Sequence, residues 1–175
     1  MTELGTTSQL VMNLSQKRGD LYKHLFALGR SPDGLAHRSL VATFLEHEED
    51  AMVARLALQI LCRWWGLYRD YKIQILRFLH PVDWDAGEMI RLIAIGCAGE
   101  LFLVEGDDAV LVELYRIFRC DAEDPVIRDA AYAALARAMG TPAKELPPAS
   151  RLLRPEDLSL EVLASVRKRL SLDGP

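Results

Sequence analysis

Apolar residues along this chain recur at intervals of three and four, and no stretch alternates apolar and polar at period two. The first pattern puts one side of a helix into a core; the second would have marked strands. Ile73, Leu76 and Leu79 form one such stripe. A longer regularity lies above it. In Val53-Ala54-Arg55, Met89-Ile90-Arg91 and Val126-Ile127-Arg128 an apolar residue precedes an arginine by two positions, and the arginines are 36 and 37 apart. Three residues further on stand Leu58, Ala94 and Ala131; seven further on stand Cys62, Ala98 and Leu135. These are successive turns of one buried stripe. One more step back reaches Arg18, with Leu21 and Leu25 in the matching places.

Glycine, the residue that most readily ends a helix in a left-handed conformation, repeats with the same period. Gly29, Gly66 and Gly140 are separated by 37 and 74 residues, and Gly106 stands where a slightly longer third repeat would end. Each repeat of 36–37 residues is therefore expected to hold two helices. First helices are predicted over 35–45, 71–79 and 108–118, and second helices over 50–65, 85–103 and 125–139. Asp50, Asp85 and Asp124 are placed to cap the second helices, and Pro125 suits a first helical position. Gly19 and Asp20 are expected to split the N-terminal segment into two short helices.

The run Asp124-Pro125-Val126-Ile127-Arg128-Asp129-Ala130-Ala131, continuing to Ala134-Leu135 and Gly140, resembles the second helix of a HEAT repeat. The likeness extends over roughly residues 8–140, although the period is shorter than is usual for HEAT and armadillo arrays and the first-helix proline of the family is missing. It implies an all-α superhelix, a short HEAT-like solenoid of three to four helix pairs, with residues 1–140 as the repeat domain. It also implies that Arg55, Arg91 and Arg128 tie neighbouring repeats together. Beyond it, Pro142, Pro147, Pro148 and Pro155 mark residues 141–158 as a proline-rich linker that cannot continue the stack. Residues 159–175 hold a final helix and tail. Leu160, Leu163, Val166 and Leu170 share one side of this helix, which is expected to cap the apolar end of the solenoid.

Half of the 175 residues are hydrophobic and 26% are charged, a globular balance. The longest charge-free apolar run, 92–99, is far too short to span a membrane. The first residues lack the basic start and apolar stretch of a signal peptide, so the expected location is cytoplasmic. Cys62, Cys97 and Cys120 lie in apolar helical stretches without a close pair and are expected in the core. His24, His37, His47 and His80 are scattered. His47, within Glu46-His47-Glu48-Glu49-Asp50, is the one with carboxylates around it, but acids at a helix start are favoured without any metal. No glycine-rich phosphate loop and no nucleophile motif is present. The expectation is a protein without catalytic residues, metal or cofactor.

What remains is surface. The turns 46–50, 83–88 and 121–124 between first and second helices hold ten of the 25 acidic residues and no lysine or arginine. Stacked repeats would bring them onto one rim, where Glu46, Glu48, Glu49, Asp83, Asp85, Asp121 and Glu123 could steer a basic protein partner. Trp84 sits within one of these turns. Trp64 and Trp65 are neighbours, and adjacent helical positions differ by about 100°, so either one of them points away from the core stripe or both pack between repeats. Arg63, Trp65, Tyr68 and Arg69 form the expected contact cluster. A non-enzymatic protein–protein interaction module, adaptor or inhibitor, that binds a partner through the concave face and an acidic rim follows as the leading function. An immunity-type inhibitor of a basic toxin or nuclease is a concrete version. A HEAT-like lyase or DNA-repair enzyme is the enzymatic alternative, and a net charge of −4 makes nucleic acid an improbable ligand.

Overall fold

A computed structural model describes residues 6–16, 20–146 and 152–171. Arg18, Gly19, Pro147 and Pro148 lie outside the described residues. All regular structure among the described residues is helical. Nine α-helices occur there: α1 Thr7–Ser15, α2 Leu21–Arg30, α3 Arg38–Ala42, α4 Ala51–Leu58, α5 Lys72–Arg77, α6 Met89–Glu105, α7 Asp108–Arg119, α8 Pro125–Ala138 and α9 Leu160–Arg169. None of the described helices is long and apolar enough to cross a membrane. The chain divides into two compact units, one of Met1–Tyr71 with Pro81–Ile93, the other of Lys72–His80 with Ala94–Pro175.

In the first unit α1 packs on α2, and α2 packs on α4. Leu10, Leu14, Leu25, Leu28, Val53 and Leu56 are buried there. The helix expected over 35–45 is present as three short pieces: a 3₁₀ turn Gly34–His37, α3, and a second 3₁₀ turn Thr43–Glu46. At the second break the Thr43 hydroxyl donates to the carbonyl of Leu40 at 2.7 Å, a local bond that competes with regular helix. Asp50 caps α4 as its type predicts, accepting from the N–H groups of Met52 at 2.9 Å and Val53 at 3.4 Å. The chain then leaves α4 without a break and widens into a π-turn, Gln59–Trp64.

The helix expected to start at Asp85 starts at Met89 instead. Asp85 still serves its N-terminus, accepting from Met89 N–H at 2.9 Å and Ile90 N–H at 2.8 Å. It reaches them across a turn in which Glu88 adopts a left-handed φ of 50°. Arg91 is buried in the first turn of α6 and pairs with Glu88 at 3.1 Å.

In the second unit α7 packs on α8. Phe118 and Tyr132 meet with ring centroids 5.6 Å apart, and the Arg128 Nε–H donates to the carbonyl of Phe118 at 3.2 Å. Asp124 caps α8 through Val126 N–H at 2.7 Å, with Pro125 in the first turn. The cap of α7 is Asp107, one residue before the expected start, which accepts from Ala109 N–H at 3.0 Å. Gly99 of α6 faces Ala134 of α8 so closely that a Cβ would lie 2.8 Å from the Ala134 carbonyl oxygen. One turn on, Glu100 and Arg137 pair at 2.7 Å. Helix α9 docks on this unit through the buried Val166, an Arg167–Tyr115 hydrogen bond at 3.2 Å and an Arg169–Asp108 ion pair at 2.6 Å. Leu160 departs from the expected stripe: it is 81% exposed.

The two sequence ladders resolve differently. Gly66, Gly106 and Gly140 each follow a helix with φ of +70°, +69° and +91°, as helix-ending glycines do. Gly29 instead lies inside α2, and its purpose is proximity: a Cβ there would fall 2.7 Å from Ile60 and 2.8 Å from Trp64. The arginines occupy unlike environments. Arg91 is buried, whereas Arg55 and Arg128 are half-buried. Cys62 and Cys97 are buried and Cys120 is half-buried.

Candidate protein-binding site

The acidic turns separate into two kinds of carboxylate. Asp50 and Asp124 are exposed yet committed to backbone N–H groups at helix starts. Asp85 is committed in the same way and is only 3% exposed. This removes Asp85 from the expected rim, because both its oxygens face the first turn of α6 rather than solvent. Glu46, Glu48, Glu49 and Asp83 are exposed. Of these, Glu48, Glu49 and Asp83 cap nothing and form no ion pair among the described residues. Asp121 is exposed and pairs with Arg128 at 3.4 Å, and Glu123 is half-buried. Turns 46–50 and 83–88 belong to the first unit, turn 121–124 to the second. His47 is not at the surface with its acidic neighbours; it is 7% exposed and packs edge-on to Phe44. Among the described residues no three His, Cys, Asp or Glu side chains converge as metal ligands would.

The π-turn sets the placement of the tandem tryptophans. In that segment Trp65 N–H bonds to the carbonyl of Ile60, five residues back, so each residue turns by less than in an α-helix. Both indoles then reach the same neighbour, α2. Trp64 lies against Gly29 and meets Phe26 edge-on at 5.4 Å. Trp65 donates its indole N–H to the carbonyl of Gly29 at 3.2 Å and lies beside Gly34. Neither swings free, and the polar edge of Trp65 is satisfied internally. Arg63 and Arg69 are exposed and Tyr68 is half-buried. Trp84 is half-buried in its turn. Burial pushes the Tyr71 phenol above its ordinary pKa, with Arg38 opposing the shift.

Two residues that the sequence did not single out complete this region. Arg30 sits with its guanidinium carbon 5.6 Å from the Phe26 ring centroid and 5.2 Å from that of Trp64. Phe26 and Arg30 are one turn apart on α2, the spacing at which helical side chains meet. That i, i+4 pairing was the available signal, masked because it lies off the repeat ladder.

The second unit has a separate cleft of about 450 Å³. It lies where the end of α8, the turn Ala143–Glu145 and the start of α9 come together, with Tyr132, Thr141, Glu145, Ser159 and Glu161 in its walls. None of the residues expected to contact a partner lines it. Comparison with known proteins adds no guide: no family model, no curated protein and no solved structure matches this chain.

Proposed function

We propose that this chain is a non-catalytic protein-binding module, a short HEAT-like stack of helix pairs that steers a basic partner with its acidic turns. The observation carrying this reading is the division of labour among the acids. Capping accounts for Asp50, Asp85 and Asp124. It does not account for Glu48, Glu49 and Asp83, which are exposed and unmatched by any cation among the described residues. Uncompensated carboxylates held on short turns between helices cost folding energy by repulsion and contribute no packing. They do raise the encounter rate with a positively charged surface. The α7–α8 pair, opened by Asp124-Pro125, supports the repeat part of the reading.

The test uses the full chain as bait in lysate of its native cell, beside the triple variant Glu48→Lys, Glu49→Lys, Asp83→Lys. A specific basic partner captured by the wild type should associate with the variant about tenfold or more slowly at low salt, with the difference shrinking as salt rises. Equal association rates at low ionic strength would remove the acidic turns from the function.

A further inference from the structure

We propose that Arg30, seated against both Phe26 and Trp64, is a docking point for a carboxylate on an apolar peptide segment of a protein partner. This goes beyond the acidic turns, is opposite to them in charge, and does not rest on them. A guanidinium lying over aromatic rings engages its flat face and leaves its in-plane fork of N–H donors pointing outward. Arg30 is exposed, and its guanidinium carbon lies over both rings. The two ring contacts, at 5.6 and 5.2 Å, are the interactions that the Arg30 side chain makes among the described residues; the guanidinium donates no hydrogen bond to them and forms no ion pair with them.

The platform is fixed from below. Trp64 is positioned by the π-turn and seated against Gly29, and Phe26 meets it at an interplanar angle of 89°. Arginine side chains lose rotamer freedom on binding; ring contacts already made in the free protein reduce that loss, which favours association. The ring of Phe26 is 40% exposed, so an apolar surface adjoins the charged fork. A carboxylate matches the fork with two parallel hydrogen bonds, and an apolar neighbour on the same peptide covers Phe26. Tryptophan and arginine are also the residue types that dominate binding energy at protein interfaces. A nucleic acid is disfavoured, since one fork on a chain of net charge −4 offers no array of cations for a phosphate backbone.

The experiment is an NMR titration of the ¹⁵N-labelled full chain, following the Arg30 Nε–H and the Trp64 indole N–H. The probes are acetyl-Phe-Glu-Leu-amide, its neutral counterpart acetyl-Phe-Gln-Leu-amide, and inorganic phosphate. The glutamate peptide should shift both signals and saturate about tenfold tighter than the glutamine peptide, the scale of one charge-assisted pair. Arg30→Gln should abolish that preference, and Phe26→Ala should weaken both peptides. Glu48→Lys, Glu49→Lys, Asp83→Lys should leave the preference in place, which separates this site from the acidic turns. Equal affinity for the two peptides overturns the proposal, as does an Arg30→Gln chain that keeps the preference. Phosphate shifting the same signals more strongly than the glutamate peptide overturns it in favour of a simple anion site. Should Arg30→Gln fail to fold, the peptide comparison on the wild-type chain decides alone.

Discussion

A methyl group added at Gly34 would collide with the carbonyl oxygen of Leu28, which is backbone and cannot step aside. At Gly29 the same addition meets the Ile60 and Trp64 side chains at 2.7 and 2.8 Å, which can shift at a cost. At Gly66 it meets nothing within 4 Å, and the only penalty is the left-handed φ of +70°. Alanine scanning should therefore rank Gly34 above Gly29 above Gly66. The loss should be about 1–3 kcal/mol at Gly29, typical of overpacking, and roughly 1 kcal/mol at Gly66. Urea midpoints measure it, and a Gly29→Ala chain as stable as wild type would contradict the close α2–π-turn contact. Within an open helix the same change would stabilise by about 1 kcal/mol, so the sign at Gly29 is diagnostic. The 37-residue spacing had grouped Gly29 with Gly66. Spacing registers a glycine but not its reason, because a left-handed turn and a close helix crossing both demand the absence of a Cβ.

Helix starts were the most readable elements, because capping is local chemistry. Asp20, Asp50, Asp124 and Ser159 each accept a backbone N–H at the start of the helix that follows. The α7 start shows how a cap couples to a distant element of its own unit. Lys72 Nζ lies 2.7 Å from both Glu105 and Asp107, and Asp107 is the α7 cap. The hydrogen bond from Lys72, helped by that from Ala109 N–H, holds the Asp107 carboxyl below its ordinary 3.8. Asp107 and Glu105 in turn raise Lys72 above 10.5. A carboxyl lowered in the folded state stabilises above its unfolded pKa, and that contribution is lost as pH falls through the folded value. A raised lysine contributes below its unfolded pKa and loses it as pH rises through the folded one. The bridge is thus complete between the acid and alkaline limits. In Lys72→Met the Asp107 titration, followed by ¹³C NMR, should move up toward 3.8 while the Ala109 bond keeps it somewhat low. An unmoved midpoint would show that the bridge does not form in solution. The element least readable was the π-turn. Its residues, Gln59 to Trp64, carry the same apolar stripe as an α-helix, and only the two tryptophans competing for α2 reveal the widened winding.

In the chain as a whole, the two compact units exchange segments. Residues 72–80 belong to the second and 81–93 to the first, so no single cut separates the two units with both intact. A fragment 1–71 lacks Asp85, Ile90, Arg91 and Ile93, all buried. A fragment 94–175 lacks Ile75, Phe78 and Leu79, each fully buried. Burying side chains of this size stabilises by about 1.5–3 kcal/mol each, against a total of about 5–15 kcal/mol for a typical domain. Neither fragment should fold cooperatively, and each should show collapsed amide dispersion in NMR and no near-ultraviolet dichroism. Co-expressed fragments cut within 94–175 retain a complete first unit and should preserve the Trp65 to Gly29 hydrogen bond, read as slow indole N–H exchange. A well-dispersed 1–71 fragment would refute the exchange of segments.

Helical content, the starts of most helices and the residues with surplus negative charge were legible along the chain. Each of these follows from interactions between residues a few positions apart: periodic burial, side-chain caps and local composition. Folding was needed to bury Asp85, leave Leu160 exposed, turn both tryptophans to α2 and rest Arg30 on Phe26 and Trp64. These outcomes depend on which distant backbone supplies a neighbour. A carboxylate, an indole or a guanidinium takes its role from that neighbour and not from its own chemistry.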